Sequence, residues 1–139
     1  MKSLNLARQA MQVITQNVPQ KTLAYTSYCA MVVKLSSGAR VVVVAEAGAT
    51  ASGINGKLVD ALDNNLQAPI IPCASPNEGL GTWHMNDAEQ QALRTVSEGE
   101  TFKGASIKAV VANRAICESC TFTLKQHGMQ VNGSEAVAP

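Results

Sequence analysis

The sequence has little charge and no concentration of one sign. Of its 139 residues only 15% are Asp, Glu, Lys or Arg, and the formal net charge is +1. Lys and Arg are scattered singly, so no cluster stands ready to neutralise several phosphates together. Any nucleic-acid contact is expected to be local or transient. No apolar run approaches the roughly 20 residues that span a bilayer, so no membrane partner is expected. The first residues, Met1-Lys2-Ser3-Leu4-Asn5-Leu6, lack the apolar core and cleavage site of a secretory signal. There is also no internal repeat and no low-complexity tract. The four cysteines, Cys29, Cys73, Cys117 and Cys120, could make two disulfides in an exported protein. Without a signal, and with Cys29 inside an apolar strand pattern, reduced thiols in a cytoplasm are expected.

What is present is a globular composition: 46% of residues are apolar, in a chain long enough to bury one core. Leu4, Ala7, Met11, Ile14 and Val18 recur at helical spacing, predicting a helix over 4–17 that Pro19 stops. Residues 25–35 are rich in β-branched and aromatic side chains, Ser36-Ser37-Gly38 signals a turn, and 39–45 hold four consecutive valines. That pair reads as a β-hairpin with the valine strand buried on both faces. Residues 57–63 suggest a short helix, and Pro69-Ile70-Ile71-Pro72 an ordered loop able to rim a pocket. Asn86 or Asp87 then caps a helix to about residue 96, with Ala88, Ala92, Leu93 and Val96 as its inner stripe. Residues 106–112 read as a third strand. A helix from near Cys117 stops at Gly128, 129–131 form a short last strand, and 132–139 are expected to be a flexible tail. The whole, 1–139, reads as one domain with a sheet flanked by helices.

Two stretches carry possible chemistry. Cys117-Glu118-Ser119-Cys120 puts two thiols in the first turn of a helix, where the dipole and free N–H groups favour thiolate. Asp87-Ala88-Glu89 stands at the head of another helix. A catalytic zinc site takes three protein ligands and keeps one position open for water. Cys117, Cys120 and Asp87 fill that quota, with His84 as the alternative third ligand. Glu89, two residues beyond Asp87, is placed to move a proton rather than to bind metal. Each residue also has a plainer reading. Cys-x-x-Cys can be a redox pair or two buried thiols, Asp87 an N-cap, and Glu89 a solvated first-turn glutamate. Trp83 can stack on a base or simply cover core. Ser27, Thr26 and Asn55 are possible hydrogen-bond partners for a base or sugar. Tyr25 and Tyr28 read as packing, with one near the start of the strand able to line the pocket; Cys29 reads as core and His127 as surface, while Cys73 is a loop cysteine with no evident partner.

Together these stretches resemble the cytidine-deaminase-like zinc deaminases. Asp87-Ala88-Glu89-Gln90-Gln91-Ala92-Leu93 is similar to that family's His-Ala-Glu helix, and Cys117-Glu118-Ser119-Cys120 to its Cys-x-x-Cys helix, with one strand between them. The leading helix and hairpin extend the resemblance over about residues 4–131. The chain departs from the pattern at Asp87, where the family has His or Cys, and at Ile116, where it often has Pro. The resemblance implies an α/β three-layer sandwich of the cytidine-deaminase-like kind, a central mixed sheet with flanking helices. It implies Zn2+ held by Asp87, Cys117 and Cys120, with Glu89 as proton carrier; His84, near the same helix entrance, is the alternative ligand, and Trp83, His84, Asn55 and Ser27 are the residues read as near the substrate. The implied reaction is hydrolytic deamination of cytosine to uracil, in single-stranded DNA first, by a bacterial toxin-type domain. Such a domain would reach a target-cell cytosol as part of a secreted toxin and would meet a dedicated immunity (inhibitor) protein. The alternatives are a free nucleoside or nucleotide deaminase and a zinc-binding module without catalysis.

Overall fold

The computed structural model describes residues 2–46, 56–73, 88–116 and 118–139. Its helices are α1 (Lys2–Asn17), α2 (Gln20–Tyr25), α3 (Gly56–Asn65), α4 (Ala88–Glu98) and α5 (Glu118–Gln126). Its strands are β1 (Tyr28–Lys34), β2 (Arg40–Glu46), β3 (Ile70–Pro72), β4 (Ser106–Ala112), β5 (Gln130–Asn132) and β6 (Glu135–Val137). The strands form one six-stranded sheet in the order β3-β2-β1-β4-β6-β5. β1 runs antiparallel to both β2 and β4, and β3 is parallel to β2. It follows that β2, β3 and β4 point the same way.

Strand periodicity divides the core in two. Along β1, Cys29, Met31 and Val33 face one side, while Tyr28, Ala30 and Val32 face the other. Both sides are covered, which is why these strands read as near-continuous apolar runs. On one side lie Leu4, Ala7, Met11 and Ile14 of α1 with Leu58 and Leu62 of α3. On the other lie Ala88, Ala92 and Leu93 of α4 with Cys120 and Leu124 of α5. The chain is thus a mixed α/β sandwich with helices on both faces. No helix among the described residues is long and apolar enough to cross a membrane.

Helix α1, the hairpin and β4 occupy the stretches their patterns predict, and α5 ends before Gly128, whose φ of +79° suits a glycine past a helix end. Three features differ from the sequence reading. Residues 20–25 form α2, with Thr22 and Leu23 both donating backbone N–H bonds to Pro19 O. Residues 70–72 form a strand rather than loop: Val42 N–H donates to Pro69 O and Cys73 N–H to Val44 O, each at 2.9 Å. Proline is tolerated there because β3 is the sheet edge, where half the backbone groups face no partner. The expected flexible tail is the largest correction. Residues 135–137 form β6, inserted between β4 and β5.

The two-residue turn Gly133-Ser134, with Gly133 at φ +65°, returns the chain beside β5. Arg8 of α1 then grips Glu135 through both carboxylate oxygens, at 2.7 and 2.8 Å. Ending the chain after Asn132 is expected to lower stability by on the order of 3–5 kcal/mol. That removes the β4–β6 ladder at roughly 1 kcal/mol per net hydrogen bond and uncovers the buried core around Ala136. Thermal unfolding of the truncated chain checks this; an unchanged midpoint would restore the flexible tail.

Candidate metal and substrate site

The carboxyl ends of the parallel strands meet at one end of the sheet. Cys29 stands opposite both Ala45 of β2 and Ala112 of β4, and Cys73 is bonded to the strand next to it. From this end the chain leaves β2 toward α3, β3 toward α4 and β4 toward α5. Each helix then returns by a short connection to the amino end of the next strand in its direction. The N-termini of α3, α4 and α5 therefore gather on the carboxyl side, where open α/β sheets hold their ligands and where helix dipoles favour anions.

Asn55, Trp83, His84, Asp87 and Cys117 lie outside the described residues. Glu89 is the second residue of α4. Cys120 lies in the first turn of α5, fully buried in the same cluster as Ala88 and Ala92 of α4. The structure thus brings the two motif helices to one face of the sheet with β4 connecting them in the chain. Ser27 is half-buried immediately before β1, at the same end. Among the described residues no group of three His, Cys, Asp or Glu side chains could hold a metal ion. The proposed ligand set draws on Cys117 and on Asp87 or His84, which lie outside those residues. As chemistry, the donor set of two thiolates and one carboxylate or imidazole suits Zn2+.

Comparison of the chain with protein-family models, curated proteins and solved structures gives no match. The site is therefore read from its own residues.

Cys29 is core, as its strand pattern predicts, and His127 is exposed beyond the end of α5. Cys73 departs from its reading. It is 1% exposed, and the Thr95 hydroxyl of α4 donates to its sulfur at 3.2 Å. Burial pushes its thiol from 9.0 up to about 11, against a smaller lowering by Thr95. The unfolded thiol ionises first, so this contribution to stability is complete below pH 9.0 and fades as pH rises toward 11. A tenfold change in proton affinity is worth about 1.4 kcal/mol, so Cys73→Ser is expected to flatten the loss by about 1 kcal/mol between roughly pH 9 and pH 10. Urea unfolding of both proteins across that interval checks it; parallel curves would mean that Cys73 is not held protonated.

A recess opens at the same end of the sheet on the face covered by α1 and α3. This cleft of about 450 Å³ is lined by Pro19, Thr22, Tyr28, Glu46, Lys57 and Leu58, among others. The buried Tyr28 hydroxyl donates to Glu46 Oε1. Burial, and then the Glu46 carboxylate, push the phenol pKa up, so Tyr28 stays a hydrogen-bond donor through the physiological range. The sequence reading gives Tyr28 as packing or pocket-lining and assigns nothing to Glu46 and Lys57. The available signal was a carboxylate one alanine beyond a run of four valines, at the carboxyl end of a buried strand.

Proposed function

We propose that the chain is a zinc-dependent hydrolytic deaminase of nucleobases, built as a cytidine-deaminase-like three-layer sandwich. Its preferred substrate is cytosine in single-stranded DNA and its setting a bacterial toxin domain. The observation that carries this reading is the placement of α4 and α5. Both motif helices cover one face of the sheet, start toward the carboxyl ends of β3 and β4, and share a buried cluster that includes Cys120. Asp87 or His84, with Cys117 and Cys120, would hold Zn2+, which when bound supplies a Lewis acid that makes water acidic near neutral pH.

The remaining work falls to the chain itself. Glu89 takes a proton from the attacking water and passes it to the leaving amine. Attack at the amine-bearing ring carbon gives a tetrahedral intermediate; ammonia leaves and uracil remains. Trp83 offers a face for base stacking, and Asn55, His84 and Ser27 offer hydrogen bonds to the base or sugar. With a net charge of +1, binding rests on the base more than on the phosphates. This leaves free cytosine nucleosides as the competing substrate class.

A second reading is a zinc-binding module without catalysis, favoured by one residue: Asp87 stands where the resembled family has His or Cys. Metal content of the purified protein, followed by ammonia release from cytidine, deoxycytidine and a mixed single-stranded oligonucleotide, separates the readings. Zinc with release from the oligonucleotide supports the toxin-type deaminase, and release from the nucleosides alone moves the substrate class. Zinc without release selects the binding module. Absence of zinc from protein purified and folded with zinc supplied would refute both.

A further inference from the structure

We propose that Asn113 is the positioning residue for the cysteine turn, acting with Arg114 by gripping the end of α2. This rests on the reading of Cys117 and Cys120 as a metal-binding thiolate pair and adds a residue to it. After β4 the chain leaves the sheet through residues 113–116, ahead of α5, which begins at Glu118. The Asn113 carboxamide uses both of its ends there. Its Oδ1 accepts the Tyr28 N–H at 2.8 Å, while Nδ2 donates to Thr26 O at 2.9 Å and to Leu23 O at 3.3 Å. Arg114 Nη2 donates to Leu23 O at 3.0 Å and to Ala24 O at 2.9 Å.

Those acceptors are carbonyls at the C-terminal end of α2, which a helix leaves without internal partners and where its dipole welcomes a cation. On the other side of the turn, Ala112 N–H donates to Ser134 O at 2.8 Å and Ile116 N–H to Gly133 O at 2.9 Å. The residue directly before Cys117 is therefore tied to the β5–β6 turn, and residues three and four before it are tied to α2. A thiolate pair whose backbone is held in advance binds a metal more tightly, because ordering it on binding costs affinity. The grip is specific to an amide: a carboxylate at 113 would keep the acceptor but set negative oxygens against two carbonyls.

The test compares the full-length protein with Asn113→Asp, Arg114→Ala and Arg114→Lys, each first shown to be folded by circular dichroism. Cobalt(II) titration reads the thiolate-to-cobalt charge-transfer band, and hydrogen exchange reads peptides covering 113–120 against the β1–β2 hairpin. Expected are at least tenfold weaker cobalt binding in Asn113→Asp, in the range of supporting residues around metal ligands, and faster exchange confined to 113–120 and α2. Arg114→Ala should show a smaller loss in the same direction, with Arg114→Lys restoring most of it. Wild-type cobalt affinity in a folded Asn113→Asp protein would overturn the proposal. Should that variant not fold, unchanged affinity and exchange in Arg114→Ala overturn it instead. If the wild-type protein itself gives no thiolate–cobalt band, the metal-site reading fails. Exchange alone then decides whether Asn113 and Arg114 hold the turn.

Discussion

Glu89→Gln is expected to lower the rate of ammonia release by about 10²- to 10⁴-fold, the range removed with a general acid–base group, while the protein keeps its zinc. The amide has nearly the shape of the carboxylate but cannot accept and return a proton. Glu89 is the second residue of α4, at the positive end of the helix dipole, and the replacement changes none of the residues proposed as metal ligands. Metal analysis beside the kinetic assay makes the result specific. Loss of activity with zinc retained assigns the proton transfer to Glu89, whereas loss of both would make it a ligand. Unchanged activity would remove Glu89 from the mechanism.

The second large effect concerns how α5 is seated. Leu124 is fully buried in the cluster with Cys120, Leu93 and Met31, while Phe122 on the same helix is 65% exposed. Leu124→Ala is expected to cost about 2–5 kcal/mol, the loss of a buried side chain plus the cavity left behind. That is a large part of the roughly 5–15 kcal/mol that holds a domain folded. Phe122→Ala should stay within about 0.5 kcal/mol, as for surface positions generally. Urea unfolding midpoints for the two variants check the contrast. Equal effects would mean that α5 presents a different face to the sheet, and the burial of Cys120 in the cluster it shares with α4 residues would go with it.

Much of the fold was legible because it is written in local periodicity. Leu4, Ala7, Met11 and Ile14 mark a helix face, the valines of β2 mark a strand buried on both sides, and 106–112 mark β4. The elements that were missed carry weak or misleading local signals. Only Ile70, Ile71 and Pro72 make up β3, and prolines argue against a strand unless it is known to lie at an edge. In β6 the residues are Glu135, Ala136 and Val137, polar and small, and only the Gly133-Ser134 turn hints at a hairpin. Helix α2 has six residues, too few for a periodic pattern.

The candidate site was legible as chemistry and only partly as geometry. A Cys-x-x-Cys pair and an Asp-x-Glu pair announce themselves by spacing. Nothing in their spacing says that their helices share one face of the sheet, since α4 and α5 are separated in the chain by the whole of β4. The support under the cysteine turn was invisible for the same reason: Asn113 meets Leu23, Thr26 and Tyr28 across about 85 to 90 residues of chain.

From residue order alone came the two-sided apolar strands, the amphipathic helices that must cover them, and the thiol and carboxylate groups available for chemistry. Folding in three dimensions settled the rest: that the last residues complete the sheet, that Cys73 is core, and that the motif helices cover the same face of the sheet. Periodicity acts between neighbours a few residues apart and can be read directly. Strand order and the meeting of distant side chains depend on which apolar faces cover one another, and that is decided only when the whole core closes.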